Sequence, residues 1–276
     1  MAEVRIITDS AADLPSEVVA RLGVVVVPLT IRFGAEEFDD LSPADFWARC
    51  KSSTTLPETA APSPGAFAEA FEKAESDGAE GVICITLSSE LSATYQSAKT
   101  AAESVAPYPV TVIDSRAVTM AEGLLVIEAA EAAGRGASYA EVAALARDTV
   151  DRLGLVGVLD TLEHLKKGGR IGSAQALLGS MLAIKPLLTL KDGKVAEEGR
   201  QRTRAKALDH AAKIARETAP FARLAVAHGA AEDLDVLLGK IEGLETDVPV
   251  VIADIGSVVG THGGPGIVGI CWIRRA

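Results

Sequence analysis

The chain has 276 residues, 48% of them hydrophobic and 24% charged, so it can build one large domain or two moderate ones. Its net charge of −11 argues against nucleic-acid binding, which needs concentrated Lys and Arg, and against attraction to an anionic membrane surface. Aromatic residues make up only 4% of the chain, so its apolar mass is aliphatic. Such walls suit a flexible hydrocarbon better than a flat ring, although many α/β proteins share this composition.

The first half of the chain alternates short β-branched runs with Ala-rich helical stretches. Strands are predicted at 4–7, 24–27, 82–87 and 110–113. Helices are predicted from about 15, around 92–104, around 121–133 and over 139–153. Continuous apolar runs that alternate with helices predict a parallel sheet covered on both faces.

The pattern changes near residue 153. Strands are predicted at 155–159, 187–190, 194–197, 224–228, 250–255 and 269–273, with helices at 161–167, 204–217 and 233–241. The dipeptide Asp192-Gly193 between two of these strands is a strong hairpin signal. The sequence therefore predicts an α/β fold of two domains: a three-layer α/β/α domain with a parallel sheet over 1–153, and an α/β domain with a mixed sheet over 154–276.

Cysteine usage and segment hydropathy bear on where the protein works. Three widely spaced cysteines, Cys50, Cys84 and Cys271, are typical of reduced thiols in a cytoplasmic protein, not of a disulfide framework or a zinc site. We see no signal peptide at the N-terminus, and the uncharged segment 171–184 is too short to span a bilayer. No pair of histidines has metal-ligand spacing. We therefore expect a cytoplasmic location, no metal and no stable membrane insertion.

Small polar residues follow three of the predicted parallel strands, at Asp9-Ser10, Ser88-Ser89 and Asp114-Ser115. In open parallel sheets, ligands bind beside the carboxyl ends of the strands, so these turns share the edge where a ligand is expected. The same residues also cap helix N-termini, and capping alone would explain each turn. Both interpretations stay open.

Three further segments carry candidate ligand contacts. The segment 88–95 places several hydroxyls where a strand passes into a helix, and helix N-termini with neutral Ser and Thr donors suit a carboxylate. The segment 54–64 is a Pro- and Thr-rich connector that could present a threonine rigidly. The glycine-rich segment 260–266 is predicted to be a loop around His262, which can donate to a carboxylate, and it lacks the Gly-Lys-Ser/Thr of a phosphate-binding loop.

Charge is unevenly distributed. Residues 160–216 contain twelve Lys and Arg against six Asp and Glu, although the whole chain is acidic. This excess is typical of a solvated face, and it also fits a docking surface for an acidic partner or a phosphate-bearing ligand.

Five motifs, in this order and over nearly the whole chain, resemble the DegV family. They are Thr8-Asp9-Ser10, Ser92-Ala93-Thr94-Tyr95-Gln96-Ser97-Ala98, Ile113-Asp114-Ser115-Arg116, Leu165-Lys166-Lys167-Gly168-Gly169-Arg170-Ile171 and His262-Gly263-Gly264-Pro265-Gly266. Each motif is weak singly, and the ordered set is specific. The resemblance implies two α/β domains related to the dihydroxyacetone-kinase substrate-binding fold, with a long-chain fatty acid between them.

The resemblance also implies a role for individual residues. Thr59 and Ser92 would hydrogen-bond the carboxylate, with His262 and Arg170 in the polar network near it. The remaining candidate ligand contacts are Ser63, Thr94 and Ser115. The protein would be a non-catalytic carrier with no cofactor besides the bound fatty acid.

Bacterial relatives present the carboxyl group to a separate ATP-dependent fatty acid kinase, which makes an acyl-phosphate for phospholipid synthesis. The resemblance therefore implies such a kinase as a partner. The basic stretch over 160–216 would be its docking face. The arginines expected there are Arg170, Arg202 and Arg204.

The chain departs from the family pattern at four positions. The usual Thr-Ser-Gln-Pro-Ser has Ala60 and Ala61, the usual Ser-Gly-Thr has Ala93, and the usual His-Thr-Gly-Pro-Gly has Gly263. These changes bear on chain preference and kinase coupling, while Thr59, Ser92 and His262 are retained.

Two other functions remain open from the sequence. One is an enzyme: an acyl hydrolase with Ser92, His262 and Asp114 as a triad, or a kinase-like module that uses His262 covalently. Ser92 does not lie in a Gly-x-Ser-x-Gly motif, and spacing alone cannot establish a triad. The other is a regulatory module that senses an acyl ligand.

Overall fold

The structure, a computed structural model, describes residues 4–39, 41–176 and 184–276; residues 177–183, half of the uncharged segment 171–184, therefore lie outside the described residues. The strands are β1 Val4–Asp9, β2 Val25–Val27, β3 Thr30–Phe33, β4 Glu36–Phe38, β5 Glu58–Ala60, β6 Gly81–Thr86, β7 Val110–Asp114, β8 Leu153–Val158, β9 Lys185–Lys191, β10 Lys194–Gln201, β11 Phe221–Gly229, β12 Val251–Asp254 and β13 Ile267–Arg274. The α-helices are α1 Ser16–Leu22, α2 Pro43–Ser52, α3 Pro64–Ser76, α4 Thr94–Ser104, α5 Met120–Gly134, α6 Tyr139–Val150, α7 Glu163–Lys167, α8 Arg204–Thr218, α9 Leu234–Ile241 and α10 Ser257–Gly263.

The N-terminal sheet contains four parallel strands in the order β2-β1-β6-β7. One face packs against α5 and α6, where Ile83 and Leu125 belong to the same buried cluster. The other face packs against α3 and α4, where Cys84 meets Phe67. The strands are apolar on both sides because helices cover both sides. The predicted three-layer arrangement with a parallel sheet is confirmed.

The C-terminal sheet contains six strands in the order β10-β9-β8-β13-β11-β12. Its ladders are antiparallel except that between β11 and β12, so the predicted mixed sheet is confirmed. One face, the outer face, packs against α8 and α9. The other, the inner face, turns toward the N-terminal elements. The chain passes from one sheet to the other between α6 and β8, and we propose that the domain boundary lies there, near residue 153.

Helix α5 lies between the two sheets and is buried almost throughout. Leu125 and Val126 pack toward the N-terminal sheet, whereas Met120 and Leu124 belong to the cluster on the inner face of the C-terminal sheet. A helix that is apolar on all sides needs apolar neighbours on all sides, and the two sheets supply them. No helix in the described ranges is both long enough and apolar enough to cross a membrane.

A small antiparallel sheet, β4-β3-β5, was not predicted. The Pro- and Thr-rich segment, interpreted from sequence as a connector, contains β5, and Thr59 pairs with Ile31 of β3. Strands of three or four residues with exposed polar positions lack the long apolar runs from which the other strands were predicted. Thr59 is therefore fixed in place by strand pairing with β3, and does not lie in an irregular connector.

The predicted glycine-rich loop around His262 is also partly wrong, because 260–263 form the end of α10. Gly260 packs against α2: a Cβ at this position would lie 2.6 Å from Cε1 of Phe46 and 2.9 Å from Trp47. The glycine is therefore required by close helix packing, and His262 sits in the last turn of a helix.

An ion-pair cluster ties α5 to the C-terminal sheet. Arg223 of β11 donates to Glu131 at 2.6 Å and also to Glu128, and its side chain is only 10% exposed. Glu131 is also approached by Arg21, at 4.0 Å, whose side chain is 59% exposed. Arg135 also approaches Glu131, at 3.9 Å, so one carboxylate has one buried and two exposed arginine partners.

We predict that Arg223→Ala lowers the free energy of unfolding by about 3 kcal/mol, because it removes the most buried partner of two half-buried carboxylates. Arg21→Ala is the matched control and should cost less than about 1 kcal/mol, as exposed pairs do. Denaturant unfolding of both variants measures the difference. Equal losses would show that Arg223 does not couple α5 to the sheet.

Candidate functional site

An apolar cavity lies between the inner face of the C-terminal sheet and the N-terminal elements. It contains about 1010 Å³ of space, part of it open to solvent. Its walls are aliphatic, and no aromatic side chain from the described part of the chain lines it. Representative wall residues are Leu29, Leu87, Leu155, Leu188, Val258 and Cys271.

Four of the predicted site residues line this cavity together: Thr59, Ser92, Arg170 and His262. Thr59 Oγ1 and His262 Nε2 are 2.9 Å apart, although the two residues are 203 positions apart in the chain. The structure thus brings together residues from β5, the turn before α4, the turn after α7, and α10. They form the polar end of an otherwise aliphatic cavity.

His262 is a neutral imidazole. Burial lowers its pKa from 6.5 to about 4, and the neighbouring Arg170 and His164 add to the effect. Nδ1 is buried with no hydrogen-bond partner among the described residues, and a Cβ on Gly168 would lie 2.3 Å from it. An unpaired ring nitrogen costs less as a lone pair than as a buried N–H, so the proton belongs on Nε2. Nε2–H then donates to Thr59 Oγ1, which leaves the Thr59 hydroxyl proton to donate into the cavity.

Ser92 is oriented by the chain that follows it. Its Oγ lies 2.8 Å from Thr94 Oγ1 and accepts the Thr94 backbone N–H at 3.3 Å. Thr94 itself is fully buried and is not among the residues that line the cavity. Thr94 therefore positions Ser92 at the start of α4, where the positive end of the helix favours an anion.

Arg170 places a positive charge beside this polar end. Its Nε donates to the Leu91 carbonyl at 3.1 Å and one terminal nitrogen donates to the Gly168 carbonyl at 2.6 Å. The first bond joins the turn after α7 to the residue before Ser92. Arg170 thus holds the two halves of the polar end together and places a positive charge there.

Ser63 and Ser115 lie away from the apolar cavity. Ser63 is exposed and caps α3 by accepting the Ala66 N–H at 3.2 Å. Ser115 is buried in a turn, where it accepts the Ala117 N–H at 3.1 Å, and it lines a different cavity. Both side chains have the capping or turn role that was the alternative interpretation of such residues.

The motif Thr8-Asp9-Ser10 acts on the cavity through the backbone. Asp9 accepts the N–H groups of Ala11 and Leu87, each at 2.9 Å, and Ser10 Oγ accepts the Leu29 N–H at 2.9 Å. Leu29 and Leu87 both line the apolar cavity. Burial raises the pKa of Asp9 to about 7, against the two N–H bonds that lower it. This motif fixes the positions of two wall residues.

Asp13 was not singled out from the sequence, yet it joins three elements around the cavity. It accepts the Thr119 hydroxyl at 2.6 Å and the Gly256 N–H at 2.9 Å, just before the helix that carries His262. Burial raises its pKa to about 7. No sequence pattern marks Asp13, and its role is visible only in the structure. There Asp13 has a φ of 50° and Thr119 a φ of 54°, which is uncommon for residues other than glycine.

The predicted docking arginines differ in availability. Arg202 is exposed and lies between the end of β10 and the start of α8. Arg204 is largely buried and pairs with both oxygens of Asp233, at 2.8 and 3.0 Å, and with the Gly266 carbonyl. Arg204 therefore stabilises the fold around β13, and its contacts do not support a docking role.

A second opening surrounds the polar end on the solvent side. This outer pocket shares Thr59, Arg170 and His262 with the apolar cavity. Its other walls include Leu56, Glu58, His164 and Lys167. The hydroxyl of Thr59 thus lies where an apolar interior meets a polar exterior.

Comparison with known proteins identifies the family of this chain. The family model described as "Uncharacterised protein, DegV family" matches residues 3–275. The chain belongs to the DegV family. A DegV domain-containing protein of Streptomyces coelicolor is 37% identical over 277 residues, 97% of each chain.

Two solved DegV structures carry the same fold. A DegV family protein from Thermus thermophilus, described by its fatty acid binding, aligns with a TM-score of 0.91 and 33% identity, covering 99% of this chain and 100% of the other. DegV of Bacillus subtilis, described as a fatty acid binding protein, aligns with a TM-score of 0.87 and 29% identity, covering 100% of both.

The hydrogen bonds in this DegV chain do not assemble the triad that the hydrolase hypothesis requires. Asp114 accepts the N–H groups of Ser89, at 3.1 Å, and Arg116, at 2.9 Å, together with the Ser89 hydroxyl. His262 Nε2 faces Thr59, and Ser92 Oγ faces Thr94. Asp114 thus fixes the turn before Ser92 and does not orient an imidazole. The described residues also contain no cluster of three or more His, Cys, Asp and Glu suited to a metal.

The neutrality of His262 gives a pH-dependence that can be measured. Because its pKa falls from 6.5 to about 4 on folding, the unfolded chain binds this proton more readily between those values, and stability rises with pH across that window. We predict that the stability difference between the wild-type protein and the non-titrating variant His262→Gln increases by roughly 3 kcal/mol from pH 4 to 6.5.

Denaturant unfolding at a series of pH values measures this difference. Taking the difference between the two proteins cancels the contributions of the buried carboxylates, which both retain. A pH-independent difference would mean that His262 titrates alike in the folded and unfolded states.

Proposed function

We propose that this protein binds one long-chain fatty acid, with the hydrocarbon in the apolar cavity and the carboxylate at Thr59 and Ser92. The observation that carries the proposal is the hydrogen bond between Thr59 and a neutral His262 at the polar end of an aliphatic cavity. It directs one hydroxyl donor at the point where a carboxylate would lie. The fatty acid binding described for the Thermus thermophilus and Bacillus subtilis proteins supports it.

The chemistry of the walls fits such a ligand. Each buried methylene contributes about 0.8 kcal/mol, so a dozen contribute roughly 10 kcal/mol. Association itself costs ~4–15 kcal/mol, and a cavity that is already formed keeps that cost toward the lower end. The hydrocarbon thus supplies the affinity, and the hydroxyls with the nearby Arg170 charge orient the head group.

The position of the carboxylate suggests that the protein presents it to a partner. Thr59, Arg170 and His262 border the outer pocket as well as the apolar cavity, so a carboxylate between them faces solvent. We propose an ATP-dependent fatty acid kinase as that partner, forming an acyl-phosphate for phospholipid synthesis. The carrier's own role is non-catalytic: it binds, orients and exposes the head group. A role as an acyl-ligand sensor uses the same site and differs only in the partner.

The function is tested on protein purified without added lipid. Denaturation, extraction and mass spectrometry should give one equivalent of a long-chain fatty acid per chain, and an empty extract from folded protein would contradict the proposal. We predict that Ser92→Ala weakens binding of added fatty acid by about 10-fold or more, because it removes a donor to a charged acceptor.

Ser63→Ala is the matched control for this variant. It removes the same hydroxyl from a serine that also precedes a helix, but outside the cavity, so the affinity for fatty acid should stay unchanged. Titration of delipidated protein with a fluorescent fatty acid measures both. Equal affinities of the two variants would remove Ser92 from the site.

The partner proposal predicts an effect of Arg202 that spares lipid binding. Arg202→Glu should keep fatty acid occupancy while lowering the rate of acyl-phosphate formation, with a purified fatty acid kinase and labelled ATP, by about tenfold or more. Arg147→Glu, the same charge reversal on the exposed side of α6, should leave that rate unchanged. Identical rates for both variants would place the docking face elsewhere.

A further inference from the structure

The apolar cavity has a direction that the strand register defines. Gly263, the residue after His262, lies beside Ile267, because a Cβ on Gly263 would be 2.4 Å from Ile267 Cδ1. Ile267 begins β13, next to Val268, which pairs with Val158. The polar end is therefore at the Leu159 end of β8. From there the cavity floor follows the inner-face residues of β8 through Gly157 to Leu155.

Leu155, at the opposite end of this floor, forms a wall together with Leu190. Both line the apolar cavity, and both also line a second cavity on their other side. This second cavity contains about 560 Å³ of space, again partly open to solvent. Its exposed lining is more polar than apolar, with Ser115, Arg116, Asp151 and Asp192 beside Ala117, Ala121, Val150 and Leu153. The two leucines thus separate an aliphatic space from a more polar one.

The sheet changes its bonding at the same place. The described ladder between β8 and β9 pairs Gly157 with Leu188 and Val158 with Leu187. At Leu155 the carbonyl accepts the Thr189 hydroxyl at 2.8 Å. A side-chain bond thus joins the strands beside the wall, where the backbone ladder has ended.

The hairpin that carries Leu190 is anchored to the N-terminal domain. Ser88 Oγ donates to the Gly193 carbonyl at 2.8 Å, and Lys194 lies 3.2 Å from Glu90. Gly193 has a φ of 78°, and a Cβ there would lie 2.4 Å from Ser88 Oγ, so only glycine permits this contact. The anchor fixes the hairpin that carries Leu190 against the loop after β6.

We infer that Leu155 and Leu190 stop the methyl end of the acyl chain and so set its length, an inference that rests on the proposed function. A methyl group gains less from the more polar, partly solvent-open second cavity than from the aliphatic one, so the most favourable contacts end at these two side chains. Leu159 and Leu155 are four strand residues, about 13 Å, apart. An extended chain advances about 1.25 Å per carbon, so this stretch holds about ten carbons beyond those near the carboxylate.

The test offers delipidated protein an equimolar mixture of even-numbered saturated fatty acids from lauric to behenic acid and measures the bound fraction by mass spectrometry. Leu190→Ala and Leu155→Ala should each shift the mean bound length upward by about two carbons, the reach of the atoms removed. Leu190→Phe should shift it downward. Thermal melting confirms that each variant is folded.

Leu188→Ala is the matched control, because Leu188 lines the apolar cavity but not the second cavity. It should weaken binding without lengthening the bound chain. An equal lengthening in Leu188→Ala would show that total volume, not the end wall, sets the length. Unchanged lengths in all wall variants, with wild-type protein that binds fatty acid, would overturn the inference alone. A wild-type protein that binds none of the acids would instead overturn the proposed function.

Discussion

The site depends on keeping one imidazole neutral. A protonated His262 would donate from both nitrogens, with Nδ1 buried against Gly168 and without a partner among the described residues. Burial and the nearby Arg170 prevent this by lowering its pKa. The resulting tautomer makes Thr59 an acceptor on one side and a donor on the other. Because Thr59 lies in β5 and His262 in α10, this bond also requires the small sheet and α10 to be held in a fixed relative position.

Buried carboxylates help to hold the segments around the cavity in place. Asp9 and Asp13 lie in the interior, where an isolated charge is costly. The oxygens of both carboxyl groups accept hydrogen bonds from backbone N–H groups or a hydroxyl. Each bond fixes a segment that reaches the cavity: Leu87 through Asp9, and the start of α10 through Asp13. The polar residues that follow the parallel strands of the N-terminal sheet therefore serve mainly to hold loops in place. Of these turns, only the one before α4 supplies a contact to the proposed ligand, through Ser92.

The sequence predicted the parallel sheet and the mixed sheet well, because long apolar runs and an Asp-Gly turn are strong local signals. It missed β3 to β5, since short strands with exposed polar residues carry no such periodicity. It could not separate Ser92 from Ser63, because both precede helices and differ only in tertiary position. Thr59 and His262 were placed in one site by resemblance to the DegV family, and no local pattern joins residues 203 positions apart.

Three of the departures from the family pattern can be related to their structural surroundings. Ala61 lines the apolar cavity, so the loss of a polar side chain there keeps the wall next to Thr59 aliphatic. Gly263 faces Ile267, whose Cδ1 lies where a Cβ would be, so glycine at this position accommodates the larger neighbour. Ala93 is the N-cap of α4 and makes no capping bond, which leaves the capping hydroxyls to Ser92 and Thr94. The substitutions thus alter the shape around the head group while the Thr59–His262 hydrogen bond and the orientation of Ser92 are retained.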